Sequence, residues 1–419
     1  MLVSLRARAA RIPHRAVGAL AGQVTLALGN FVLAIVAARE LGPTGLGAYA
    51  LMFGVIVMAT AATTGLLGDS LTVLDRRDPP IRASLSRTAL GLTAALAVTA
   101  FVVARATLAP TTAVLFALAL AAFVLADLAR RLLMANLRFW SLVLVDAAGL
   151  ITMLAFLVSS RAVGDLTLDH LLAALALAHV VAGLLAIIRM PADERRIRLH
   201  GRGDWRAVLG YGTWRAVQQF VRPTALNLAR SIVLLTAGAA AVGELEAARV
   251  FVSPAMLLVQ GLGSYLFSTY AADRAEHPRA LLARADRAAA VMFSGAVLVG
   301  GAAAVLVPHL GPLVTGGTFE LSALATLGWA CYAASCAAVL PYGSLAAVQG
   351  RQQWVLLIRV VDSMLALSLV AGFLSLVQVG WETMPWLLSV GSFVGGWLCR
   401  RLLLRSPRGV TAAATEVAA

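Results

Sequence analysis

Twelve apolar runs, each about as long as the hydrocarbon core of a bilayer is thick, follow one another through this chain of 419 residues. They fall near residues 16–38, 48–67, 88–104, 110–128, 140–159, 167–188, 208–238, 247–268, 288–308, 322–347, 353–377 and 384–404. A membrane-spanning helix needs about 20 predominantly apolar residues. The connections between the runs are short, so no soluble domain is expected. The pattern predicts an all-α, polytopic transmembrane fold of about twelve helices. Composition supports the same reading: 60% of residues are hydrophobic and 13% charged, against about 45–50% and 25% in soluble domains. Lipid has to be the solvent for most of the surface.

The formal net charge of +14 would suit a nucleic-acid partner, but the placement of the charges argues against one. All 34 basic residues are arginine. With the N-terminus placed in the cytoplasm, 26 of them fall in cytoplasmic tails and loops. Four (Arg39, Arg105, Arg161 and Arg249) fall in the opposite loops, and four (Arg215, Arg222, Arg230 and Arg359) within spans. That asymmetry follows the positive-inside rule. It predicts a multi-pass protein of the inner or plasma membrane with both termini cytoplasmic. In this count Arg130 and Arg131 belong to the loop after the fourth run. Arg6, Arg8, Arg11 and Arg15 precede an apolar stretch too long for a cleaved signal peptide, so an uncleaved first span is expected. Cys331, Cys336 and Cys399 lie in apolar stretches without metal-ligand spacing and read as small core residues.

The two halves resemble each other. Run 1 ends in Leu41-Gly42-Pro43 and passes at once into run 2. Run 7 ends in Val242-Gly243-Glu244 and passes at once into run 8. Asn136-Leu137-Arg138-Phe139-Trp140 opens run 5, and Gln349-Gly350-Arg351-Gln352-Gln353-Trp354 opens run 11. Each of the latter is a short turn with a polar residue, an arginine and then an aromatic. A parallel repeat of two pseudo-symmetric six-helix bundles is expected, with lobes at 1–200 and 201–419. Transporters of that arrangement bind their cargo near the bilayer midplane between repeats.

Run 7 carries the most unusual charges. A central arginine costs about 2.5–3.5 kcal/mol on insertion scales, and this run holds Arg215, Arg222 and Arg230. At about 100° per residue all three share one face, which is expected to line a cavity able to accept an anion. Arginine pairs bidentately with phosphate, and Pro223 is expected to kink the helix. The structural alternatives are an interfacial role for Arg215 and ion pairs from Arg222 and Arg230 to Asp146 or Asp362. Arg359 and Asp362, three apart, are expected to neutralise one another, with Arg359 also a candidate for substrate contact. Asp146 and Asp362 are the candidates to carry a coupling proton or cation. Asp127 reads as a solvated carboxylate near the cytoplasmic end. Gln23 and Asn30, seven apart, share a face and either line the cavity or bind a neighbouring helix.

No P-loop, paired-Cys or His-x-x-x-His metal spacing, or Gly-x-Ser-x-Gly elbow is present, and His170, His179 and His309 are scattered. An enzyme is not expected, nor is a metal or other cofactor. A membrane-embedded sugar transferase or polymerase would need an acidic catalytic loop, and Arg39-Glu40-Leu41-Gly42-Pro43-Thr44-Gly45 is too short to be one.

The segment from Ala38 to Ala50, with Ala-Arg-x-Leu-Gly-Pro at 38–43 and Gly-x-Tyr at 47–49, resembles bacterial polysaccharide flippases. These belong to the multidrug/oligosaccharidyl-lipid/polysaccharide (MOP) exporter superfamily. At the second turn Arg249 and Val250 stand in place of a small residue and tyrosine. The resemblance implies translocation of an undecaprenyl-diphosphate-linked oligosaccharide by basic residues of a central cavity. The implied partners are that lipid-linked oligosaccharide, membrane lipid and polysaccharide-assembly proteins. A cation-coupled multidrug exporter of the same superfamily is the alternative, and it would hold cationic cargo with buried carboxylates.

The expected topology has a direct test. Single cysteines at Thr44 and Asp165 should react with an impermeant thiol reagent in intact cells, and those at Arg77 and Arg198 should not. Labelling at Arg198 would overturn the orientation.

Overall fold

The computed structural model describes residues 14–68, 70–71, 74–195, 199–272 and 276–405. All secondary structure among them is helical. In lipid every backbone donor and acceptor must be satisfied within the segment, which leaves the helix as the solution for an apolar run that closes no barrel. Ten helices carry the fold: α1 (His14–Thr63), α2 (Pro79–Arg105), α3 (Pro110–Ala135), α4 (Phe139–Val163), α5 (Leu168–Arg189), α6 (Trp205–Ala272), α7 (Pro278–Thr315), α8 (Ala323–Val348), α9 (Gln352–Gly372) and α10 (Met384–Leu404). Each includes or forms a stretch long and apolar enough to cross a membrane.

α1 and α6 are 50 and 68 residues long, about 75 and 100 Å at 1.5 Å per residue and far more than one bilayer needs. Each breaks at one glycine, Gly42 (φ 66°, ψ −171°) and Gly238 (φ 86°, ψ 175°). That region of backbone space is open to glycine and closed to residues with a Cβ. Each long helix is therefore two limbs joined without a loop, which makes twelve helical limbs among the described residues. The first break is where the sequence places it. The second is four residues upstream of the expected Val242-Gly243-Glu244 turn, because only Gly238 takes the positive φ while Gly243 continues the helix. Pro223 keeps helical dihedrals, and α6 leaves them only at Gly238.

The chain forms two compact units, 1–224 and 225–419. In the first, α5 packs against α3 and α4. Leu133, Leu142, Val145, Ala182, Ala186 and Met190 form part of the core. The first stretch of α6 belongs to this unit. It crosses the π-helical turn that follows α1 (Thr64–Gly68) so closely that a Cβ at Gly212 would collide with the Leu66 carbonyl, and one at Gly65 with the backbone of Ala216. In the second unit α8 is central, packed on α7 and α10. Its buried side chains are mostly small, as close approach of membrane helices requires. The indole of Trp329 is 1% exposed and donates to the Leu245 carbonyl at 2.8 Å.

The internal repeat is visible in the hydrogen bonds. α3 ends through Asn136 N to Leu132 O, Leu137 N to Met134 O and Arg138 N to Leu133 O. α8 ends through Gln349 N to Leu345 O, Gly350 N to Ala347 O and Arg351 N to Ala346 O. Leu137 (φ 56°) and Gly350 (φ 80°) occupy the same left-handed position, the usual way of satisfying the last carbonyls of a helix. Arg138 Nη1 then donates to the carbonyl of Arg189 at the end of α5 (2.6 Å), 51 residues on. Arg351 Nη1 donates to the carbonyl of Leu402 near the end of α10 (2.7 Å), also 51 residues on.

Close glycine contacts should govern assembly of the second unit. A Cβ at Gly391 would collide with the Asp362 carbonyl and meet Ala366 Cβ at 2.7 Å, whereas one at Gly91 meets nothing within 4 Å. Gly391→Val is expected to destabilise the protein by about 1–3 kcal/mol, read as a lowered melting temperature in detergent. Gly91→Ala should leave it unchanged.

Candidate functional site

Two sets of charged side chains lie inside the spans, one in each unit. In the first unit Arg130 of α3 grips Asp146 of α4 bidentately, Nε to Oδ1 at 2.7 Å and Nη2 to Oδ2 at 2.9 Å. Asp127, one turn earlier on α3, takes Arg131 Nε at 2.7 Å and lies 3.6 Å from Arg130 Nη1. Asp127, Arg130 and Asp146 are all buried. A carboxylate taken out of water requires such a partner, because an unpaired buried charge carries a desolvation cost of several kcal/mol.

Three sequence expectations are corrected here. Arg130 and Arg131 are not loop residues, because α3 continues through the apolar run to Ala135. Asp127 is not solvated, since both arginines close over it. Asp146 is committed to Arg130 rather than to Arg222 or Arg230.

In the second unit Arg230, before the Gly238 break, donates to Glu246 beyond it (Nη2 to Oε2, 2.6 Å). Both side chains are at most 7% exposed. Arg249 Nε reaches the other oxygen of Glu246 at 2.9 Å. Arg249 was expected in an external loop, but the helix restarts at residue 239 and carries it inside. The partner of Arg230 is thus Glu246, not Asp146 or Asp362. Sequence reasoning missed Glu246 altogether. Asn227, on the same face one turn before Arg230, is buried with Oδ1 unpaired among the described residues.

The remaining candidates fall in both units. Arg215 is half-buried and donates Nη1 to Gln218 at 2.9 Å, and Arg222 is exposed on the same helix. Both belong to the first unit and Arg230 to the second. The expected Arg359–Asp362 pair does not form. Asp362 is buried against α10, where its Oδ2 occupies the space a Cβ at Gly395 would need, and it accepts from Ser363 Oγ at 3.1 Å. Arg359 is half-buried with Nη2 near Gly343, and it makes no ion pair among the described residues. Asn30 lines a small cavity inside the first unit together with Thr25, Arg130 and Asp146. The side chain of Gln23 lies outside the described residues. Among the described residues no cluster of three His, Cys, Asp or Glu side chains is placed to hold a metal ion.

The fold is that of transporters of the MOP superfamily. An inward-facing multidrug resistance MATE family transporter matches over 91% of this chain and 96% of its own, at 15% identity and a TM-score of 0.70. An outward-facing multidrug resistance MATE family transporter matches over 93% of both chains, at 14% identity and a TM-score of 0.61. A Pyrococcus furiosus MOP superfamily transporter, described as having a binding pocket of reverse polarity that suggests a different function, matches over 93% of both at 14% identity and a TM-score of 0.61. No family model matches the sequence, and no curated protein does. At these identities the likeness establishes a multi-pass membrane architecture of twelve helices in two bundles. The structural relatives are transporters rather than enzymes.

The Arg130–Asp146 pair is expected to behave as a buried ion pair. Asp146→Ala leaves Arg130 with only the more distant Asp127 and should destabilise the protein by about 3 kcal/mol or more. The double variant Arg130→Leu/Asp146→Leu should recover a large part of that loss in a thermal-unfolding assay of purified protein.

Proposed function

We propose that the chain flips an undecaprenyl-diphosphate-linked oligosaccharide from the cytoplasmic to the outer leaflet for cell-surface polysaccharide biosynthesis. In this reading both termini are cytoplasmic and the lobes alternate in access. The observation that carries the proposal is a basic side chain held within a span without an ion pair. Asp127, Asp146 and Glu246 are each held by arginine, whereas Arg359 stands within its span with no ion pair among the described residues. A half-buried guanidinium without a carboxylate suits an anionic cargo, and its fork geometry suits a diphosphate. Arg222, exposed on α6, is the second candidate, with Arg215 beside it. Arg230 and Asp146, already engaged with internal partners, act in this reading by fixing the helices. Asp362 remains the candidate for coupling.

A cation-coupled multidrug exporter is the second reading. Two of the similar structures are described as multidrug resistance MATE family transporters, and the buried Asp362 would serve a coupling cation.

The two readings separate in cells. Hydrogen bonds to charged groups contribute about 1.5–3 kcal/mol each. Arg222→Ala and Arg359→Ala should therefore each lower export of the surface glycan about tenfold or more at unchanged protein level. Lysine at either position should restore it only in part. Normal glycan export by the double alanine variant, together with increased drug susceptibility when the gene is removed, would overturn the flippase reading in favour of the exporter.

A further inference from the structure

One face of α10 is exposed along its length through Val390, Phe393, Trp397, Arg401 and Leu404, the spacing of a single helix stripe. The stripe is apolar until its last turn, where it carries a guanidinium. α10 is 21 residues long, about 30 Å at 1.5 Å per residue, which is about the thickness of the hydrocarbon core. Arg401, three residues before the end of the helix, therefore sits at the level of the lipid headgroups.

Three observations single out this arginine. The first is its own geometry. Its guanidinium carbon lies 3.7 Å from the ring centre of Trp397, one turn deeper, and a cation over an indole face is attracted by the ring. Stacking uses one face of the guanidinium and leaves the N–H groups in its plane able to donate. Among the described residues they meet no carboxylate. The neighbouring arginines are engaged within the protein. Arg400 is held by Asp286 of α7, Nε to Oδ1 at 2.8 Å and Nη2 to Oδ2 at 3.1 Å, and Arg351 by the Leu402 carbonyl.

The second observation is an aromatic ring at the same depth on α9. Gly391 lies against Ala366 and Gly395 against Asp362, so α9 and α10 run antiparallel. That register brings Trp354, also exposed, level with the last turn of α10. The third comes from the repeat. The bridges from Arg138 to Arg189 and from Arg351 to Leu402 align Leu184 with Trp397 and Ile188 with Arg401. Leu184 and Ile188 are exposed aliphatic residues. The fold thus accepts plain hydrocarbon at these outward positions, and only the second unit carries a stacked cation there.

We propose that Trp397 and Arg401, flanked by Trp354, form a binding site for the headgroup of an anionic phospholipid in the leaflet at the C-terminal end of α10. The guanidinium donates to phosphate oxygens, the indole holds its orientation, and the acyl chains lie along the apolar part of the stripe. A zwitterionic lipid offers the same phosphate but brings an ammonium that opposes the guanidinium, so the anionic headgroup is preferred. The site is on the outward face of the second unit and is independent of the cargo.

The test titrates the purified full-length protein in detergent with dioleoylphosphatidylglycerol or dioleoylphosphatidylcholine and reads the first lipid bound by native mass spectrometry. The wild type should bind the anionic lipid more tightly. Arg401→Gln should weaken that binding about tenfold or more and Trp397→Leu about two- to fivefold, with Arg401→Lys between Arg401→Gln and the wild type. Arg405→Gln removes an equal exposed charge one turn on and should stay within about twofold of the wild type. Inorganic phosphate should not displace the lipid. Equal affinity for the two lipids, wild-type binding by Arg401→Gln, or an equal loss in Arg405→Gln would each overturn the proposal, the last by reducing the site to a diffuse positive field. Displacement by inorganic phosphate would overturn it in favour of a soluble anion. The altered residues are exposed, so melting temperatures in detergent should not change. Should Arg401→Gln fail to fold, Trp397→Leu and the comparison of the two lipids on the wild type still decide.

Discussion

A guanidinium buried in hydrocarbon needs a carboxylate at its own depth, and both halves of this protein meet that requirement in the same way. Arg130 and Asp146 are 16 residues apart, as are Arg230 and Glu246. The midpoint of the first interval is Arg138, at the turn between α3 and α4, and that of the second is Gly238, at the break in α6. Antiparallel limbs rise by the same 1.5 Å per residue. Two side chains eight steps either side of a turn therefore return to the same level. The ion pairs follow from the turns, and the turns follow from one residue in each that accepts an unusual backbone position.

The same local geometry explains part of what was legible in the sequence and what was not. The apolar runs located the spans because lipid imposes a length on each of them. The Gly42 break and the paired turns at Asn136 and Gln349 were readable from local chemistry. Arg130 and Arg131 were misplaced because a charge at the end of an apolar run reads as the start of a loop, yet a helix continues wherever a partner awaits. The second turn was placed at Gly243 by its likeness to Leu41-Gly42-Pro43, whereas Gly238 sits inside a run of alanines that carries no turn signal. The common spacing of 16 would have exposed both Glu246 and the true break.

The Arg359–Asp362 pair failed for a different reason. Residues three apart share a helix face, but a side chain chooses among neighbours that sequence spacing does not reveal. Gly391 and Gly395 leave a notch in α10, and Asp362 enters it. A pattern confined to one helix could not show that the deciding vacancy lies on another.

The arginine bridges at the ends of α5 and α10 impose a rule of length. Arg138 and Arg351 each reach a carbonyl 51 residues further on, yet the chain between differs in kind. The first half crosses by α4 and α5 with a plain connection, and the second inserts a π-helical turn (Phe373–Val377) and a 3₁₀ turn (Trp381–Thr383) before α10. The sum is held while its parts have drifted. Each bridge therefore sets the separation of its two ends, and residues added to the distal connection between them leave that separation in place.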